Sequence, residues 1–143
     1  MTQEIHGRRS FLSLIATQFQ GAFSDNAHKN IVLFIILSMG FSQAERDLFI
    51  PGGQFLFAIP FILFSTVGGY LADRFSKRSV TIGTKVFEIC IMIFATVAIT
   101  LTSVPMMLIA VFLMSAQSAL FGPTKYGLLP EILPEKRLSW GNG

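Results

Sequence analysis

The stretch Gly68-Gly69-Tyr70-Leu71-Ala72-Asp73-Arg74-Phe75-Ser76-Lys77-Arg78 is a compact basic segment set directly between two long apolar runs. Before it, Phe55 to Val67 carry no charge, and after it Val80 to Leu101 carry only Lys85 and Glu88. Roughly 20 apolar residues in a helix cross a hydrocarbon core about 30 Å thick. A connection this short leaves room only for a tight turn, so the segment predicts two membrane spans that meet at one surface.

Outward from that turn, four apolar runs can be marked: Phe11 to Met39, Gln54 to Leu71, Val80 to Leu101 and Met106 to Phe121. They predict an all-α membrane protein of four transmembrane helices, at about 11–39, 54–73, 80–101 and 105–122. A closed barrel also spans bilayers, but it needs short strands of alternating polarity, and these continuous runs show none. Composition points the same way: charged residues make up 13% of the chain, against roughly 25% in soluble domains. The first run is too long and too polar in its middle for a cleavable signal peptide, and no small-residue cleavage site precedes Met39. The single cysteine, Cys90, excludes an intrachain disulfide and any cysteine-based metal cluster, and is expected to be a small buried apolar residue.

The net charge of +3 does not signal nucleic acid, because of where the cations fall. Arg8 and Arg9 precede the first helix, Arg74, Lys77, Arg78 and Lys85 cluster between the second and third, and Lys125, Lys136 and Arg137 follow the fourth. The opposite loops, around 42–49 and 102–105, contain only Arg46. Nine of eleven cations therefore lie on one side, which the positive-inside rule makes cytoplasmic, with both ends of the chain there.

Local signals refine the helices. Ser10 is a candidate N-cap for a first helix about 43 Å long, which must tilt, bend or protrude. Pro60 should bend the second helix, and Ser65, Gly69 and Asp73, like Gly68 and Ala72, recur at four-residue spacing suited to close helix contact. Gly122-Pro123 is expected to end the fourth helix and open a cytoplasmic, partly interfacial loop over 123–139 that Pro130 and Pro134 keep irregular. Trp140 then suits an interface, and 138–143 reads as the approach to a fifth helix.

Asp25-Asn26-Ala27-His28-Lys29-Asn30 sits near the middle of the first run. An ionisable side chain there costs at least about 2.5 kcal/mol even on lenient insertion scales, so it must face a bundle interior or a wet cavity. Asp25 and Lys29, four apart, are expected to pair on one face beside a stripe of Asn26 and Asn30. Asp25, Asn26 and Lys29, with Gln117 of the fourth helix, are candidate substrate or ion pathway residues; a purely structural buried pair is the alternative. His28 could donate a hydrogen bond or relay protons. Lys85 is expected to snorkel to the cytoplasmic surface, with Glu88 as a structural partner. No catalytic residue, metal site or cofactor is expected: the histidines, His6 and His28, accompany no nucleophile, and no acyltransferase-type His-x-x-x-x-Asp is present.

The order Gly-x-Leu-Ala-Asp-Arg-x-x-[Lys/Arg]-Arg, matched from Gly69 to Arg78, resembles the loop between the second and third helices of major facilitator superfamily transporters, with Ser76 where that family usually has Gly. Residues Gln18 to Asn26 and Ser115 to Glu131 further resemble the lysophospholipid transporter branch of that superfamily. The resemblance implies that the chain is a fragment, the first part of the N-terminal six-helix half of a facilitator fold. It implies a lysophospholipid as substrate, carried from the outer to the inner leaflet of the bacterial inner membrane, possible coupling to sodium or protons, and in some members a fused acyltransferase and acyl-carrier-protein ligase downstream. It makes Asp25 the first-helix carboxylate of the pathway and Gly69, Asp73, Arg74 and Arg78 a conformational gate, where a plain topological anchor to lipid headgroups is the other reading. Lys125 and Tyr126 become possible headgroup contacts. Two rival functions stay open, a general facilitator for drugs or metabolites and a small four-helix oligomeric membrane protein without transport activity.

Overall fold

The computed structural model describes residues 2–132 and contains four helices: α1 Thr2–Ser38, α2 Gln43–Arg74, α3 Lys77–Thr100 and α4 Val104–Ile132. The described residues contain no strand. Three segments, Gln43–Arg74, Lys77–Thr100 and Val104–Leu128, are long and apolar enough to cross a membrane. The first helix does not reach that measure, which corrects the expectation of four apolar spans. Its middle carries Asp25, Asn26, His28, Lys29 and Asn30, and these outweigh the apolar residues around them.

Capping, rather than hydrophobicity, sets where α2 and α3 begin, while α1 is already helical from Thr2 and runs through Ser10, which corrects the expected N-cap there. Gly40 adopts a left-handed φ of 71° after α1. Ser42 then builds a capping box: its hydroxyl accepts the Glu45 N–H at 3.4 Å, and the Glu45 carboxylate accepts the Ser42 N–H at 2.9 Å. The helix therefore starts well before the apolar run, and residues 43–49, expected in a loop, are helical. Between α2 and α3 only Phe75 and Ser76 intervene. The Ser76 hydroxyl accepts the Ser79 N–H at 3.1 Å and N-caps α3, a role the glycine usual at this position lacks a side chain to fill.

The expected end of the fourth helix at Gly122 is also corrected. α4 runs through Pro123 and Pro130 to Ile132. Proline leaves the carbonyl four residues earlier without its helical donor, and for Pro123 that carbonyl belongs to Ala119. It faces Gly68 of α2 so closely that a Cβ built on Gly68 would lie 2.9 Å from the Ala119 oxygen and 3.0 Å from that of Leu120. A neighbouring helix thus covers the backbone that proline disturbs, as bundled membrane helices require. The rest of the 123–139 loop, with Pro134, Lys136 and Arg137, and the segment around Trp140 lie outside the described residues.

α4 is the central helix, and α1, α2 and α3 all pack on it. It buries Met107, Val111 and Met114 near its start and Gln117, Phe121 and Thr124 further on. α3 offers it one stripe of Val80, Thr84, Glu88, Ile91, Ala95 and Ala98, at the three- and four-residue spacing of a single helix face. α2 buries only Gly53, Pro60 and Gly68, two turns apart. At the end near Gly40, Val32, Ile36, Ala98, Met107 and Val111 form a dry apolar cluster. Large side chains such as Phe19, Phe34, Phe55 and Ile62 point outward, the pattern of a helix bundle with an apolar exterior, while Cys90, expected inside, is exposed on α3.

Gly68→Ala is expected to lower the stability of the detergent-solubilised protein by about 1–3 kcal/mol, the usual cost of overpacking, because its Cβ meets rigid backbone. Gly69→Ala, with nothing within 4 Å of the added Cβ, is expected to leave the thermal midpoint in place. Equal midpoints for the two variants would remove the close α2–α4 crossing.

Candidate functional site

The inward face of α1 carries Leu14, Asp25, His28, Val32 and Ile36, so helical periodicity turns a carboxylate and an imidazole toward the bundle. Asp25 is 7% exposed and accepts a hydrogen bond from the Ser118 hydroxyl of α4 through Oδ2. Its other oxygen, Oδ1, and the His28 Nε2 are buried without a hydrogen-bond partner among the described residues.

Close to Asp25, three helices converge on Glu88 of α3. Lys85 Nζ lies 2.6 Å from Glu88 Oε2. The Gln20 side-chain amide of α1 donates to Oε1 at 3.1 Å, and that of Gln117 of α4 donates to Oε2 at 3.4 Å and to the Thr84 carbonyl at 3.2 Å. Lys85 also donates to the Gln20 amide oxygen at 3.3 Å. Charge-assisted hydrogen bonds of this kind are stronger than neutral ones, and they tie α1, α3 and α4 at one level.

Beside this network lies a cavity of about 450 Å³. Gln18, Asp25, Ser65, Gln117 and Ser118 give it a polar wall, and Phe61 and Phe121 an apolar one. Lys85 lines it from α3, and Lys125 and Tyr126 line it toward the end of α4, the Lys125 ammonium 4.8 Å from the Tyr126 ring centroid. The arrangement is amphipathic, with one buried carboxylate, two cations, several neutral hydrogen-bonding groups and an aromatic flank.

The structure brings together Asp25, Gln117, Lys125 and Tyr126 of the residues expected to matter. It does not bring Asn26 or Lys29 to the cavity. The Asn26 amide bonds the Ala22 carbonyl of its own helix at 2.9 Å on the exposed face. Lys29 does not pair with Asp25 as expected: its ammonium lies 4.5 Å from the Phe57 ring centroid, a cation–π contact, while Asp25 turns to Ser118. The candidate gate residues sit apart at the α2–α3 connection, where Asp73, Arg74 and Arg78 are exposed, and Arg74 bonds the Tyr70 hydroxyl. The cavity residue that sequence reasoning missed is Lys85. Its pairing with Glu88 was legible from their spacing, and its side chain also lines the cavity. Gly21 held the missing signal, since a Cβ there would sit 3.3 Å from Lys85 Nζ and close the space the ammonium uses. No cluster of His, Cys, Asp or Glu among the described residues is placed to hold a metal ion.

Comparison with known proteins finds residues 53–140 matching the major facilitator family described as transmembrane secretion effector. The chain is 32% identical over 135 residues to the lysophospholipid transporter LplT of Photorhabdus laumondii, covering 94% of the chain and 31% of that protein. It is 30% identical to the LplT of Salmonella arizonae, covering 100% of the chain and 35% of that protein, and 31% identical to that of Cronobacter sakazakii, covering 94% and 32%. The chain thus spans about a third of the length of these curated relatives. No solved structure matches it.

In a Cys90→Ser background, a cysteine placed at Ser65 on the cavity wall is expected to react with a small water-soluble thiol reagent. One placed at Ser115, which is 0% exposed, is expected to stay unlabelled until the protein is denatured. Equal labelling of both would mean that the cavity is not a distinct wet space.

Proposed function

The chain belongs to the major facilitator superfamily, in the family described as transmembrane secretion effector, and on that premise we propose that it forms the first part of the N-terminal six-helix half of a lysophospholipid transporter. The substrate would move from the outer to the inner leaflet of a bacterial inner membrane, with α1 spanning the bilayer alongside the three apolar helices and the α2–α3 connection on the cytoplasmic side. The observation that carries this reading is the cavity, in which a buried carboxylate, cations and an aromatic flank line one space. A lysolipid headgroup such as phosphoethanolamine offers an ammonium for Asp25 and a phosphate for a cation such as Lys125, and its acyl chain suits the phenylalanine-rich faces.

A carboxylate inside the bundle is expensive, and a polar face that an α-helix keeps there is explained most directly by a substrate that needs it. α1 contributes such a face even though it falls short of the hydropathy of the other three helices, because its neighbours in the bundle, and not lipid, surround Asp25 and His28. Asn26 and Lys29 would then face a wet path only if further helices cover that side of α1. Gly69, Asp73, Arg74 and Arg78 would form a gate whose acidic member caps the positive end of a helix in the other half of the transporter. Sodium or protons are candidate coupling ions, and the chemistry of reacylation would belong to a fused or separate acyltransferase. The description of the matched family as a secretion effector favours one rival, a general exporter.

In the complete transporter, Asp25→Asn is expected to abolish translocation of lysophosphatidylethanolamine in spheroplasts at unchanged expression. Unaltered translocation would make Asp25 structural. If the unsubstituted transporter exports cationic dyes and leaves lysolipid unmoved, the general exporter is the correct reading.

A further inference from the structure

We propose that Lys85 is the specificity-determining cation of the cavity: it leaves Glu88 to receive the phosphate of an incoming amphiphile, while the amides of Gln20 and Gln117 hold Glu88 in its absence. The proposal rests on the lysophospholipid reading above and assigns the residue that tells a phosphorylated headgroup from an uncharged one.

The first support is an asymmetry within the pair. The Glu88 side chain is 5% exposed and that of Lys85 is 24%, so the anion is locked in and the cation sits at the edge. Both oxygens of Glu88 have donors that do not depend on Lys85, since Gln20 reaches Oε1 from α1 and Gln117 reaches Oε2 from α4. Removing one member of a buried ion pair is normally costly because it strands the other charge. Here two neutral amides remain in place to solvate the carboxylate, which makes the ammonium separable.

The second support is position. Lys85 forms part of the wall of the 450 Å³ cavity and also of a groove of about 410 Å³ between α1 and α3, bordered by Gln20, Glu88, Ile89 and Met92. It stands on the boundary of the two spaces, with an acceptor pair on one side and the Asp25 cavity on the other. Gly21 leaves the room it occupies on α1, and the Phe121 ring, 5.7 Å from Nζ, offers a face toward which the ammonium can turn without losing all stabilisation. Asp25 lines the same cavity, so an ammonium and a phosphate carried by one headgroup would each find an opposite charge. A lysine with a flexible four-carbon stem suits such a transfer better than a rigid guanidinium fork.

The test uses the complete transporter in lipid nanodiscs, titrated with lysophosphatidylethanolamine, and the variants Lys85→Met, Lys85→Arg and Glu88→Gln. Lys85→Met is expected to raise Kd by about tenfold or more, the factor carried by one charge-assisted hydrogen bond. Lys85→Arg should recover only part of that affinity, because its rigid fork transfers less readily, and Glu88→Gln should lower Kd because it frees the ammonium. A purely structural ion pair would weaken binding alike from either side, so equal losses in Lys85→Met and Glu88→Gln would overturn the proposal, as would an unchanged Kd in Lys85→Met. If the unsubstituted transporter binds no lysolipid at all, the functional reading fails and the assignment of Lys85 falls with it. Binding by the unsubstituted protein with failure only in the variant pattern would sink the Lys85 proposal alone.

Discussion

A carboxylate held among apolar helices, away from water, must be solvated by donors on its neighbours, and Glu88 meets that demand with Lys85 from its own helix, Gln20 from α1 and Gln117 from α4. Each donor arrives from a fixed direction, so satisfying the charge also sets the rotation of α1 and α4 about their axes. With α1 turned so that Gln20 reaches Glu88, Asp25 faces Ser118 and Val32 and Ile36 enter the apolar cluster with Ala98, Met107 and Val111. The polar level and the dry level above it are therefore two results of one orientation. Between helices in lipid there is no hydrophobic drive to association, which leaves packing and hydrogen bonds to specify the arrangement.

The second constraint is the approach of α2 to α4. Gly68 lies against the Ala119 and Leu120 carbonyls at a distance no larger residue tolerates, and Pro123 is the reason the Ala119 carbonyl lacks its helical donor. Proline and glycine on different helices thus act together. Each alone would weaken a helix, and in combination they bring two backbones close and place Phe61 and Ser65 of α2 on the cavity that α4 lines with Gln117 and Ser118. The site depends on this contact as much as on the charged side chains within it.

Much of this was legible from residue order. Apolar runs of sufficient length, separated by short polar turns, require helices in a membrane, because every backbone donor and acceptor must then be satisfied within its own segment. The basic segment 74–78 marked the connection between α2 and α3, and the structure leaves only Phe75 and Ser76 between those helices. The singularity of Asp25 in an apolar setting was equally visible, since cost alone singles it out. The readings that changed were those that depend on neighbours. Lys29 was expected to find Asp25 because the two are four apart, yet a lysine stem reaches several partners, and Phe57 on α2 lay within its range.

Sequence by itself therefore determined the class of fold, the three apolar spans among the described residues and the presence of a polar level, since these follow from hydropathy and chain length. Tertiary structure decided which way Lys85 points, which partner Asp25 takes and whether Gly122-Pro123 stops a helix. Those outcomes turn on side chains and carbonyls remote in the chain: Gly21 opening space for an ammonium, Ser118 offering a hydroxyl, Gly68 covering an unpaired carbonyl. A local pattern specifies what a residue can do, and only the packed helices, by excluding water and supplying partners from several directions, select which of those possibilities is realised.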